Sequence, residues 1–400
     1  MDRVLPPTWR PASEADLEAA LNEGAFTETP KREAKQQLRG SKDQAKDMAS
    51  FAIDGGLIVV GVREVKAEGR FALAPVAWVD QILETPARIA ASACDPPLQV
   101  SVEWLESERP GHGYLLIEVP ASPLAPHMAG GAYYGRGDRE KRRLSDAEVE
   151  RLIRARDTSL DVVRAALRER VDKDPFPEGT LAHLHLVALP SRRVPGMFKA
   201  WTAAEDARPL LFDLVRDGVT RRTRDRAGPA SRVSPVLGEL ASGFRTAGGV
   251  GIASQLATSS MVVREERDLR FVVRERGEVS LYCGRAAART DGRYLFFDGA
   301  LAYRVRAFLD LLGSLSEDAG YGGGWDVGVA VTNTHGMSAW GGENGSAPGT
   351  EYDADRYEQV TRVPRLELEK PGSATDRLVG ELLRSLGNAS AHTDLLTDPE

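Results

Sequence analysis

Three glutamates near the start of the chain carry the chemistry of a hydrolytic metal site. Glu28 and Glu33 flank a segment stiffened by Pro30, and Glu64 follows an apolar run, Leu57–Val62, that begins just after Gly55-Gly56. Carboxylates at strand ends beside a tight turn converge on a hard cation such as Mg²⁺ or Mn²⁺, which prefers oxygen ligands. An ion held there would orient a phosphodiester, activate a water and stabilise the leaving oxygen. Lys35 would then stand beside the scissile phosphate as a point charge. The opposing reading is a solvated acidic surface, with the glutamates paired to Lys31, Arg32 or Arg63.

Basic residues supply a second pattern. Arg136, Arg139, Lys141, Arg142 and Arg143 follow directly on Tyr133 and Tyr134. Arginines hold phosphates and tyrosines stack on unpaired bases, a combination suited to single-stranded or structured RNA. Asp138 and Glu140 dilute this charge, and a salt-bridged turn accounts for the same residues. Arg221, Arg222, Arg224 and Arg226 form another basic group in the polar stretch Thr220–Ser234, read as a loop. His183 and His185 point to one face of a strand, but no third ligand is in view, so a buried and satisfied pair is expected.

Other chemistries lack their motifs. No Gly-x-x-x-x-Gly-Lys-Ser/Thr phosphate loop occurs, and Gly320–Gly324 precedes a strand instead of following one, so no nucleoside-triphosphate site is supported. Nor is there a Gly-x-Ser-x-Gly nucleophile elbow.

The elements that must position these residues are readable from caps and periodicity. Ser13 is a candidate N-cap for a short helix carrying Leu17 and Leu21, with Asp16 in its first turn. Ser41 and Gln44 suggest a capping box for a helix that buries Ala45, Met48, Ala49 and Ala52. Strands are expected over Leu57–Val62, Gln99–Leu105, Tyr114–Val119 and Ala132–Gly137. A second capping box, Ser145 with Glu148, opens a helix that closes a first domain near Arg156. Beyond it, a further helix over Leu160–Val171 and strands at Leu181–Leu189, Met261–Glu265, Leu269–Arg274, Val279–Cys283, Tyr294–Phe297 and Asp326–Thr332 predict a second domain. The fold class expected is an α+β N-terminal domain followed by a separate mixed α/β domain with an antiparallel meander. The domains run 1–156 and 157–387, with residues 388–400 as a mobile tail.

Composition limits the function classes. The 400 residues are 42% hydrophobic and 28% charged, with a net charge of −7 and two cysteines. That balance excludes wholesale disorder, a disulfide scaffold and a uniformly basic nucleic-acid coat. The start, MDRVLPPTWRP, has no apolar secretory core, and no apolar run is long enough to span a membrane. A cytoplasmic protein is the expectation, without membrane attachment.

Taken in order, the motifs of the first domain resemble the Schlafen-type, or divergent AlbA-like (AlbA_2), family over about residues 26–155. The pieces are Glu28-Thr29, Glu33-Ala34-Lys35, Phe51-Ala52-Ile53-Asp54-Gly55-Gly56 and Gly61-Val62-Arg63-Glu64. Pro120 through Pro126, Tyr133-Tyr134-Gly135-Arg136-Gly137 and Leu144-Ser145-Asp146-Ala147-Glu148 complete the set. The resemblance implies a nucleic-acid-binding domain. In members with RNase activity it also implies a divalent-metal endoribonuclease acting on structured RNA, with Glu28, Glu33 and Glu64 as catalytic metal ligands. Lys35, Tyr134, Arg136, Arg139, Arg142 and Arg143 would contact the nucleic acid. Such domains are paired in some relatives, which implies a homodimer with a shared groove. Three departures stand against catalysis: Ala34 where a bulky aromatic is usual, Asp54 beside the turn, and Arg63 next to the third carboxylate. The alternatives are a non-catalytic DNA- or RNA-binding regulator with a C-terminal sensing or assembly domain, and a protein-interaction module.

Overall fold

The first helix, Glu14–Asn22, starts at Ser13, whose hydroxyl accepts the Asp16 N–H at 3.1 Å. The computed structural model describes residues 5, 9–65, 67, 69–137, 140–192, 194–232, 234–256, 262–290, 292–339 and 351–398. These divide into two units, one comprising Met1–Asp157 with Gly322–Gly324 and the other Thr158–Tyr321 with Trp325–Glu400.

The first unit is α+β. Its larger sheet places Arg32–Lys35 parallel to Gly56–Val60, which runs antiparallel to His112–Val119; Ser101–Glu106 pairs on the far edge of that last strand, and Val76–Ala77 pairs with its first residues, His112 and Gly113, on the same edge as Gly56–Val60. Ile58, Val60, Leu115 and Ile117 face the helix Ser41–Phe51 and pack on Met48 and Phe51. Leu57, Val59 and Leu116 face the other way and pack on Leu17, Leu21 and Phe26. This strand is buried on both faces, as its unbroken apolar run requires.

The run does not stay in one strand. Gly61, at φ 99°, breaks it, and Val62–Val65 turns into a separate hairpin with Arg70–Leu73. A second, four-stranded sheet has the order Lys141–Arg143, Ala132–Arg136, Met128–Ala129, Cys94–Asp95. The helix Ser41–Phe51 is capped at Gly40 without a side-chain bond, so the capping box expected at Ser41 does not form; Gln44 Nε2 instead donates to the Arg39 carbonyl at 2.5 Å.

The second unit is built on a seven-stranded sheet in which every pairing is antiparallel. Its order is Ser242–Thr246, Gly249–Ala253, Leu269–Arg274, Val279–Cys283, His183–Pro190, Trp325–Thr332, Arg356–Val363. The helix Asp298–Asp318 is buried along nearly its whole length and shares a core with Leu184, Leu186, Phe271 and Val329. On the opposite face Val187 and Ala330 pack against Leu167 of the helix Asp146–Asp172.

Further expectations are corrected. One helix, Asp146–Asp172, stands where two were read, because no breaker interrupts Arg154–Leu160. Thr220–Ser234 holds a helix, Arg221–Ser231, despite its polarity, since Thr223 is buried and its hydroxyl bonds Asp310 at 2.9 Å. The supposed mobile tail folds into short helices, Ala389–His392 and Thr393–Leu396, that bury Leu395 and Leu396. The start of the strand expected over Met261–Glu265 lies outside the described residues. Its end instead begins the short 3-10 helix Glu265–Arg267.

Candidate functional site

The candidate site of the first unit is set by one strand register. A tight turn at Pro30-Lys31 closes Thr29 on Arg32, with reciprocal backbone bonds of 2.9 and 3.2 Å, and delivers the chain into Arg32–Lys35. Glu33 then lies opposite Ile58 and Lys35 opposite Val60, so both point to the face covered by the helix Ser41–Phe51. Arg32 alternates to the other face, where its guanidinium lies 5.1 Å from the Trp9 ring and 5.6 Å from that of Phe26.

A charge network results. The Glu33 carboxylate is bonded by Lys35 and by Arg136. Arg136, whose side chain is only 2% exposed, also donates to the Thr29 carbonyl at 3.3 Å and lies 4.2 Å from the Phe51 ring centroid. Asp47 of the helix completes the set, 2.5 Å from Lys141 and 3.5 Å from Lys35. Glu28 sits at the margin and accepts the Ala34 N–H at 3.2 Å. Burial pushes its carboxyl above the usual range, and the Glu33 charge adds to that shift.

Not every residue singled out in the sequence joins this network. Glu64 is exposed on the Val62–Val65 hairpin, opposite Phe71. Among the described residues, the ligand atoms of Glu28, Glu33 and Glu64 do not gather into one group within 4.8 Å of one another. Of the three carboxylates, Glu33 is ion-paired, by Lys35 and Arg136. Lys31 instead donates to the Asp54 carbonyl at the Gly55 turn.

The basic residues fall into two kinds. Arg136 is a buried partner of Glu33, whereas Arg142 and Arg143 are exposed on the edge strand Lys141–Arg143. Arg142 makes a two-pronged bond to Glu148, at 2.9 and 2.6 Å, and Glu148 caps its helix through the Ser145 N–H at 2.9 Å. Those bonds hold the Glu148 carboxyl well below the usual range. Tyr134 is corrected from a stacking residue to a core one: strand alternation buries its ring with Ala45, Met48 and Phe51, and leaves Tyr133 half-exposed. Arg139 lies outside the described residues.

Sequence reasoning missed Asp47, which the apolar face of its helix disguised, and Asp174 with Glu265, which the fold brings to His183 and His185. Only a loop separates Asp174 from the two histidines, so proximity in sequence was the available signal for that partner. Glu265 carried none.

No protein-family model matches the chain, so the Schlafen-type resemblance rests on its motifs alone. No curated protein matches either. Among solved structures, the chain is similar to the N-terminal domain of a RecG-related protein from Nitrosomonas europaea, at 22% identity over 34% of this chain and 95% of that one, with a TM-score of 0.24. It is also similar to the DIP2311 protein from Corynebacterium diphtheriae, at 17% identity over 42% of this chain and 35% of that one, again with a TM-score of 0.24. Among the described residues no helix is long and apolar enough to cross a membrane.

Proposed function

We propose that the first unit binds nucleic acid through phosphate contacts and does not cut it. The carrying observation is the edge strand Lys141–Arg143, three consecutive cations of which Arg142 and Arg143 are exposed. It pairs with the strand holding half-exposed Tyr133, a ring placed to stack on a base. Against catalysis stands Glu33, whose carboxylate already has two cationic partners and would have to release them to take a divalent ion.

The test is a mobility shift with end-labelled tRNA and single-stranded DNA at rising salt, with Mg²⁺ or Mn²⁺ present in a parallel cleavage assay. Affinity should fall steeply with salt, since each phosphate contact releases counterions. Arg142→Glu with Arg143→Glu should weaken binding at least tenfold, a loss of roughly two phosphate contacts. Absence of any shift at low salt would overturn the reading. Metal-dependent cleavage that disappears in Glu33→Gln would replace it with the endoribonuclease, in which Glu28, Glu33 and Glu64 hold Mg²⁺ or Mn²⁺.

A further inference from the structure

The strand His183–Pro190 alternates Leu184 and Leu186 into the core of the Asp298–Asp318 helix. His183 and His185 therefore share the opposite face with Val187. Just past the helix Asp146–Asp172, Asp174 meets them there. Its Oδ2 lies 2.7 Å from His183 Nδ1 and 3.0 Å from His185 Nε2. Its Oδ1 is occupied separately, accepting the Phe176 N–H at 2.8 Å and the Tyr282 hydroxyl at 3.3 Å. The carboxylate is thus held with one oxygen turned to the two imidazoles.

The far side of His183 is equally defined. Its Nε2 lies 2.7 Å from Glu265 Oε1, which also accepts the Leu181 N–H at 3.0 Å. Both histidine side chains are almost wholly buried, at 1% and 3% exposure. A single buried ion pair needs one imidazole; here two converge on the same oxygen, and ligand atoms of all three residues lie within 4.8 Å of one another.

We propose that Asp174, His183 and His185 bind a divalent transition-metal ion of the zinc class, with Glu265 as the residue that orients His183. Two imidazoles and one carboxylate suit zinc or cobalt, whereas magnesium and calcium favour all-oxygen sites. Asp174 contributes Oδ2, His183 Nδ1 and His185 Nε2. Glu265 keeps the Nε2–H of His183 and so directs the Nδ1 lone pair at the ion, the carboxylate–histidine–metal arrangement of metal sites generally. In the metal-free protein both nitrogens of His183 face carboxylate oxygens, which only accept, so both carry protons. Uptake of the ion therefore displaces the protons that His183 Nδ1 and His185 Nε2 present to Asp174 Oδ2, the first to solvent and the second by tautomer exchange to His185 Nδ1, and the metal takes their place. The three atoms now stand at hydrogen-bond distances and must spread to the ~3.3 Å that separates ligands around a tetrahedral ion. Three protein ligands leave a fourth position for water or an exogenous ligand.

The test uses the full chain, stripped with a chelator and dialysed against Zn²⁺ or Co²⁺. The expected result is one ion per chain with the intense visible absorption of four-coordinate Co²⁺. Asp174→Asn and His185→Gln should each weaken uptake at least a hundredfold. Glu265→Gln should weaken it about 10–100-fold while keeping the stoichiometry, as loss of an outer-shell partner does. His112→Gln, at a half-buried histidine of the first unit, should change nothing. Circular dichroism of each metal-free variant separates lost binding from lost folding. Should His185→Gln unfold, Asp174→Asn, which keeps an acceptor for the imidazoles, decides the matter. No ion retained at micromolar free Zn²⁺ overturns the proposal, as does wild-type uptake by a folded Asp174→Asn variant.

Discussion

Arg136 holds the Glu33 carboxylate from one side while its guanidinium lies against the Phe51 ring, 4.2 Å from the centroid. A carboxylate on a buried strand, a cation on a second sheet and an aromatic on the helix between them thus form a single packed unit. Removing one partner of a buried pair costs about 3–5 kcal/mol when the charge left behind is uncompensated. Arg136→Ala leaves Lys35 on Glu33, so it should destabilise the first unit by less than that figure, read as a lowered urea midpoint. Arg136→Met with Glu33→Leu should recover most of the loss, since a well-packed apolar pair replaces a buried ion pair at little cost. If the double variant is no better than Arg136→Ala, the pair is not the source of the effect.

Glu28 is expected to behave in the opposite sense. Burial raises its folded pKa, so its contribution to stability is present below the unfolded carboxyl range and is lost as pH rises through the folded value. Glu28→Gln keeps an acceptor for the Ala34 N–H and removes the charge near Glu33. At pH 7 the variant should be as stable as the wild type or more so, by up to about 1 kcal/mol once solvent screening of this half-buried group is allowed for. The gain should shrink at pH 4. A loss of stability at pH 7 would mean that the ionised carboxylate has a stabilising partner there.

His127 supplies a pH dependence in the first unit. The ring is fully buried, with Nδ1 2.6 Å from the Pro96 carbonyl and Nε2 2.7 Å from the Ser122 hydroxyl. The carbonyl only accepts, so Nδ1 carries the proton and Nε2 takes the Ser122 O–H, a neutral arrangement. Burial lowers the folded pKa. Below about pH 6.5 the unfolded chain therefore binds a proton that the folded one refuses, and stability falls as pH drops from there toward the folded value. The urea midpoint should be lower at pH 5.5 than at 7.5, and His127→Gln should flatten that difference. An undiminished difference in the variant would assign the dependence to other groups.

The fold was legible where one physical signal dominated. Strands Leu269–Arg274 and Val279–Cys283 have the bounds their apolar pattern implies, and Ser145 with Glu148 forms its capping box. The site was legible only as a neighbourhood. Glu33, Lys35 and Arg136 do meet, but which cation serves which carboxylate depends on the parallel register of Glu33 with Ile58, and period-two alternation alone carries no register between strands distant in sequence. Tyr134 was misassigned for a related reason: of two adjacent tyrosines on a strand one must be buried, and which one depends on the helix that covers it. The helix Arg221–Ser231 was hidden because its anchor, Asp310 on Thr223, lies far away in the chain.

Gly55 and Gly111 separate two costs of a side chain. Both have positive φ, 76° and 72°, so alanine at either is strained by the left-handed backbone, about 1–2 kcal/mol. At Gly111 nothing lies within 4 Å of an added Cβ, and that strain is the whole effect. At Gly55 the Cβ would stand 2.9 Å from the Ala121 nitrogen and 3.3 Å from the Val119 carbonyl oxygen, both backbone atoms that cannot turn aside. The turn also carries the Asp54 carbonyl that Lys31 bonds, so a shift there disturbs the entry to the strand bearing Glu33. Gly55→Ala should therefore cost at least about 1 kcal/mol more than Gly111→Ala, the overpacking component alone. Equal urea midpoints for the two variants would show that the Gly55 turn yields to a methyl group, and that the close approach of Ala121 plays no part in holding the site.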